Sequence, residues 1–339
     1  MSNIRINQIA WTLALASARG NLCVPGEFHW NHATSDSFEH VRQKWHSVFN
    51  SGDAVRDQDM LDSIQKTDVS KFLADIDTCA RFESSMRLWI SQGNGYYTLS
   101  GFNSFPIAQT VNGSQEAFNH FYFRHRESRF RVHRGEYWWH METWDALGLD
   151  WCYIEDKPLA PGDVCILSMP FALDSEQKAL TLDTCDHLGI PVLLDLIYLP
   201  NAVSKMHIDV DRECVKEITV SLSKTFPVQT AKCAVRFCRT EPKDALTIST
   251  HENVSNRLSA GLGLCLIEQY AVDYMVKKYQ PLQQYWCDQL DLSPGNVVHF
   301  GYGKPMSDRL DFSDYNLQSS RYNLRLLYEN NSWLEKMLW

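Results

Sequence analysis

Short apolar runs alternate with longer amphipathic stretches through the middle of the chain. Val164-Cys-Ile-Leu and Val192-Leu-Leu are unbroken apolar runs, the form of strands buried on both faces. The pattern predicts strands at 107–111, 129–133, 164–168, 191–194, 218–221 and 234–238. Helices are predicted between them at 114–122, 137–147 and 175–188. Such alternation implies an α/β fold, a mainly parallel sheet sandwiched by helices. At 129–133, Phe130 and Val132 alternate with Arg129 and Arg131, which predicts a half-exposed strand. Upstream, Phe72, Ile76, Cys79, Phe82, Met86 and Trp89 keep a three-to-four spacing that predicts one helix over 69–92. Gly93-Asn-Gly then opens a loop through Gly101. Beyond Glu241 the pattern changes to a long helix at 254–279, a strand at 297–300, and a final strand and helix. The chain divides accordingly into an N-terminal arm and helix (1–45), a large α/β domain (46–240) and a smaller C-terminal α+β domain (241–339).

Composition narrows the class. A chain of 339 residues with 44% hydrophobic side chains can bury about three-quarters of its unfolded surface. No run of eighteen apolar residues exists, so no membrane span is expected. The first residues lack the apolar core of a signal peptide. Ten cysteines without a Cys-x-x-Cys pair read as reduced thiols, which points to the cytoplasm, and no metal site is expected. A net charge of −9 argues against nucleic acid as a partner. The basic run Arg124, Arg126, Arg129, Arg131 and Arg134, interleaved with aromatics, therefore reads as a solvated strand. Gly261-Leu-Gly263 lies inside a predicted helix and is too weak for a dinucleotide site.

The chemistry concentrates around Lys224. Ser221-Leu-Ser-Lys-Thr-Phe226 follows the β-branched run of a buried strand and places the lysine at its end. Burial disfavours an ammonium, and a neutral lysine is a nucleophile toward aldehydes. Upstream, Ile190-Pro-Val-Leu-Leu-Asp195 ends an apolar run in a carboxylate, with Tyr198 three residues on. Such an Asp stays ionised only with a cationic partner. Thr110-Val-Asn-Gly-Ser-Gln-Glu-Ala117 passes from strand through a Gly-Ser turn into a helix, a ready anion site.

Together these segments resemble the fold-type I pyridoxal-phosphate enzymes, in particular the class I/II aminotransferases, over about residues 105–339. The resemblance implies that Lys224 carries pyridoxal 5'-phosphate as a Schiff base. Asp195 would face the ring nitrogen and Tyr198 the ring hydroxyl. Gly113, Ser114, Gln115, Ser221 and Ser223 would bind around the cofactor and its phosphate, and Tyr137 would stack on the ring, with Trp138 or Trp139 as substitutes. Arg325 would hold the substrate α-carboxylate, with Arg321 as runner-up. The family's lysine motif continues Gly-x-x-Gly-x-Arg-x-Gly. Here Pro227, Thr230 and Ala234 replace the glycines and Lys232 stands at the arginine, with Arg236 the alternative under a shifted gap. Pro170 survives from the family's Asn-Pro loop, but Ala172 stands at the asparagine that contacts the ring hydroxyl. The implied activity is amino-group transfer between an amino acid and a 2-oxo acid, in a homodimer. Lyase, decarboxylase or racemase chemistry with the same cofactor, and a non-catalytic member of the fold, stay open as alternatives.

Overall fold

The computed structural model describes residues 54–170, 175–290, 292–303, 320–325 and 328. In chain order the elements are α1 (Gln58–Lys66), α2 (Thr78–Ser91), β1 (Tyr97–Ser100), β2 (Ile107–Asn112), α3 (Ser114–Arg124), β3 (Arg129–Val132), α4 (Trp139–Leu147), β4 (Trp151–Tyr153), β5 (Asp163–Ser168) and α5 (Ser175–Leu188). They continue as β6 (Val192–Asp195), β7 (Met206–Asp209), β8 (Val215–Ser221), β9 (Cys233–Cys238), α6 (Ala245–His251), α7 (Arg257–Gln269), α8 (Tyr274–Leu290), β10 (Ser293–Pro294), β11 (Phe300–Gly303) and β12 (Ser320–Asn323).

Seven strands form one sheet in the order β2–β9–β8–β6–β5–β3–β4. All neighbours run parallel except β9, which is antiparallel to both β8 and β2. The carboxyl ends of β2, β3, β5, β6 and β8 therefore share an edge with the amino end of β9. Every residue of β5, β6 and β9 is buried, as the unbroken apolar runs require. On one face Phe118, Phe121 and Tyr122 of α3 and Trp144 of α4 pack with Phe130, Val164, Ile166 and Leu193 of the sheet. α7 packs closely enough that its glycines are needed. A Cβ on Gly261 would lie 2.1 Å from the Phe72 ring, and one on Gly263 2.6 Å from Phe82.

The chain divides into two compact units. One holds Arg56–Gln280 and Asn296–Val298, including the seven-stranded sheet and the parallel pair β1–β7. The other includes, among the described residues, Pro281–Gly295 and those from His299 onward, with the antiparallel sheet β10–β11–β12.

Several sequence expectations need correction. The helix expected over 69–92 is a 3₁₀ turn at Val69–Phe72 and a separate α2, because Asp68 and Asp75 accept from the backbone N–H two residues on and turn the chain. Ile76, expected on the apolar face, is 62% exposed. The helix expected over 254–279 breaks at Tyr270, whose backbone is extended and whose carbonyl accepts the Trp89 indole N–H at 2.8 Å. The expected loop after Gly93 contains β1, paired with β7 more than a hundred residues later. The strand expected at 297–300 is β11. β3 is not half-exposed: Arg131 is fully buried, paired with Asp163 and donating to the Pro158 carbonyl. Arg124, Arg129 and Arg134 also hold carboxylates, the Arg134 pair at the surface, so the basic run is engaged in ion pairs within the chain. The N-terminal arm, Ala172 and the final helix lie outside the described residues.

Candidate functional site

Asp195 ends β6 at the shared strand edge, between Ser168 of β5 and Thr219 of β8 in the ladder. It is 3% exposed, and Oδ1 accepts from Thr219 Oγ1 at 2.8 Å and the Ile197 N–H at 3.3 Å. Burial pushes its carboxyl up to about 7; the two hydrogen bonds and Lys224 oppose the rise, and the nearby Glu136 adds to it. Tyr198 lies one turn later and is buried.

Lys224 closes a 3₁₀ turn directly after β8, half-buried. Ser221 caps that turn, accepting the Ser223 N–H at 3.3 Å, and the two hydroxyls lie 3.0 Å apart. Asn201, fully buried, donates to the Lys224 carbonyl at 3.2 Å and to Thr225 Oγ1 at 3.3 Å. The segment after β6 thus holds the segment after β8, and the lysine's turn is tied to that of Asp195 and Tyr198.

At the neighbouring strand end, Gly113 precedes α3 with φ 78°, a conformation that favours glycine. Its N–H donates to the Lys232 carbonyl at 2.8 Å, and a Cβ there would lie 3.1 Å from the Lys232 side chain. Ser114 is buried at the start of α3, and its Oγ has no hydrogen-bond partner among the described residues. Lys232 is exposed and has φ 57°. Its ammonium donates to Gln115 Oε1 at 2.9 Å, and Gln115 Nε2 donates to the Tyr137 hydroxyl at 3.0 Å. One side chain thereby links the turn's cation to the half-buried tyrosine. Trp138 is 59% exposed beside it. Arg236, the alternative cation, points elsewhere: it is fully buried on β9 and held by Gln109 at 2.9 Å and Asp244 at 2.6 Å.

The structure thus gathers Gly113, Ser114, Gln115, Tyr137, Asp195, Tyr198, Ser221, Ser223, Lys224 and Lys232 along one sheet edge. Arg325 belongs to the other unit; it is half-buried, and its N–H donates to Asn323 Oδ1 at 2.9 Å. Sequence reasoning missed four residues here: Thr219, Asn201, Glu136 and Lys178. Thr219 sits at strand spacing before Ser221 and was readable in principle. The other three lie in loops or on a helix without motif or periodicity to mark them.

No family model and no curated protein matches the chain. Solved structures do. The chain is similar to a pyridoxal-phosphate-bound C–S lyase from Staphylococcus hominis at 12% identity and a TM-score of 0.62, over 85% of this chain and 87% of that one. This chain has the fold of the fold-type I pyridoxal-phosphate enzymes. An alanine aminotransferase from Pyrococcus furiosus is similar at 13% identity and TM-score 0.58, over 85% of this chain and 91% of that one. An L-threonine-O-3-phosphate decarboxylase from Porphyromonas gingivalis is similar at 14% identity and TM-score 0.55, over 85% and 99%. The three neighbours carry lyase, transfer and decarboxylase names on one fold, so the fold does not select an activity for this chain.

Proposed function

We propose that the chain is a pyridoxal-phosphate-dependent aminotransferase in which Lys224 binds the cofactor covalently. The observation that carries this reading is the placement of Asp195 at the end of β6 and Lys224 just after its ladder neighbour β8: a buried carboxylate whose charge calls for a cation, with a half-buried lysine within electrostatic reach. The other donors fit the group as well. Ser114 Oγ is buried and unmatched beside the first N–H groups of α3, with the Lys232 ammonium at the same turn, which suits a phosphate dianion.

When bound, pyridoxal phosphate supplies an aldehyde that captures amines and a ring that draws electrons from the bonds at the captured carbon. Gly113, Ser114, Gln115, Ser221, Ser223 and Lys232 would bind around its phosphate. Tyr137 would pack on the ring and Tyr198 would donate to the ring hydroxyl. Asp195 would hold a proton at the ring nitrogen. The Lys224 Nζ would hold the cofactor's aldehyde and would serve as the base that takes up the proton of the substrate Cα. Arg325 is proposed for the α-carboxylate, and a homodimer for the assembly, on the resemblance alone; a cytoplasmic location is proposed on the reduced cysteines.

Borohydride reduction of the yellow protein should fix cofactor mass to the peptide containing Lys224, and Lys224→Ala should abolish both label and turnover. A protein that stays colourless in added cofactor ends the reading. Incubation with an amino acid and a 2-oxo acid then separates the chemistries. Amino-group exchange supports a transferase; release of carbon dioxide or ammonia without exchange points to a decarboxylase or a lyase.

A further inference from the structure

Behind Asp195 lies an ion pair that the proposed chemistry does not use. Glu136, in the loop before α4, and Lys178, on α5, meet at 2.7 Å with both side chains at most 1% exposed. Both also grip the end of β5: Glu136 Oε1 accepts the Ser168 N–H at 3.4 Å, and Lys178 donates to the Ser168 carbonyl. Ser168 is the ladder partner of Asp195, and the Met169 N–H donates to the Asp195 carbonyl at 2.8 Å. The pair is therefore fastened to the strand end beside the carboxylate. Glu136 Oε2 is buried without a hydrogen-bond partner among the described residues.

Energetics make this placement informative. A buried ion pair is often no more stabilising than well-packed apolar side chains of similar volume. Its cost is better explained by what it does to neighbouring charge. Glu136 alone would oppose ionisation of Asp195, since its charge is felt at that buried carboxyl. Lys178 alone would favour it. Present together, they oppose one another at Asp195, Lys178 offsetting part of what Glu136 adds.

We propose that Glu136 and Lys178 are positioning residues: a buried pair that fixes the strand end beside Asp195 and balances the charge around its carboxylate. The consequence for the ring nitrogen rests on the cofactor reading above; the charge balance itself does not. The other groups facing Asp195 are Thr219 of β8, Lys224 after β8, and Tyr122 of α3, whose hydroxyl meets His140 Nδ1 of α4 at 2.5 Å. None of these changes in the variants below.

The test uses the full chain freed of ligand, with carbon-13 aspartate labelling and the Asp195 carboxyl signal assigned by its loss in Asp195→Asn. Glu136→Gln should weaken the proton affinity of Asp195 about tenfold or more, one pH unit being a tenfold change. Lys178→Met should strengthen it by a similar factor, and the double variant Glu136→Gln/Lys178→Met should return it to within about threefold of wild type. If Lys178→Met does not fold, Glu136→Gln and the double variant still decide. An Asp195 titration unmoved in Glu136→Gln, with only the thermal midpoint lowered, overturns the proposal and leaves the pair structural. Adding pyridoxal phosphate to the same samples reads the other question separately. A wild type that remains colourless removes the cofactor reading, while the Asp195 titration still decides the role of the pair.

Discussion

Two basic residues four positions apart have opposite fates, and the difference is testable. Lys232 ends exposed at the strand edge with its ammonium on Gln115, whereas Arg236 is sealed inside β9 with Asp244 and Gln109. Lys232→Ala should lower cofactor affinity roughly ten- to a hundredfold, the worth of one charge-assisted hydrogen bond, with little change in thermal midpoint. Arg236→Ala should do the reverse. It takes one of two arginine partners from Asp244, Arg124 remaining, and leaves Gln109 without its cation inside β9; the cost approaches the roughly 3–5 kcal/mol of a broken buried pair, while affinity measured on the folded fraction holds. Cofactor affinity kept in Lys232→Ala and lost in Arg236→Ala would move the phosphate cation to Arg236. At this scale the motif residues Lys224, Asp195, Tyr198 and the Gly113–Gln115 turn lie along one sheet edge, a placement legible from strand ends followed by turns. Arg131 was not legible, because alternation with Phe130 and Val132 says nothing about a buried partner such as Asp163.

Element boundaries followed local chemistry where it was strong. α5 is Ser175–Leu188, as its periodicity predicts, and the unbroken runs became the fully buried strands β5 and β6. They failed where tertiary contacts interrupt a periodic stretch, as at Tyr270, or where a strand's partner is remote, as for β1. Gly261-Leu-Gly263 shows how a weak motif acquires meaning: the missing side chains admit the rings of Phe72 and Phe82. Gly261→Ala should therefore destabilise the chain by about 1–3 kcal/mol through overpacking, although alanine is the better helix former by about 1 kcal/mol. Urea unfolding measures the sign directly; a more stable variant would mean that the Phe72 ring yields freely. The sheet's outer strand β2 is also guarded. Its Thr110 and Asn112 N–H groups donate to Glu83 at 2.7 Å and to Glu116 at 2.6 Å, so neither is available to another strand.

For the whole molecule, buried carboxylates set a pH window. Burial pushes Asp195 and Glu83 each up to about 7 against ordinary values of 3.8 and 4.5. The stability they contribute is fully present below the ordinary carboxylate range and is lost as pH rises through about 7. Asp244 works in the other direction. Burial would raise it, but Arg236 and Arg124 outweigh that and hold it at about 2. Its contribution is present above 3.8 and is lost as pH falls through about 2. The ligand-free chain should melt highest near roughly pH 4, lose thermal midpoint as pH rises toward about 7, and change little from this cause above about 8. Added pyridoxal phosphate should raise the midpoint more at pH 8 than at pH 5, because a cationic ring would restore a partner to the ionised Asp195. A flat profile across pH 5–8 would show that neither carboxylate titrates as its surroundings dictate. None of the described helices is long and apolar enough to cross a membrane.

The reversed direction of β9 has a further consequence. Because β9 turns back beside β8, Lys224 and Lys232 lie on one short connection whose ends are pinned by the Ser221–Ala234 pair of the ladder. A ligand gripped by its phosphate at Lys232 would be tethered next to the Lys224 amine. Its second attachment would then be intramolecular, governed by an effective concentration that for short tethers reaches the millimolar range. On the proposed function, capture and anchoring would be one bivalent event within a single loop, and the weak grip of a lone lysine on phosphate would be multiplied by the nearness of the amine.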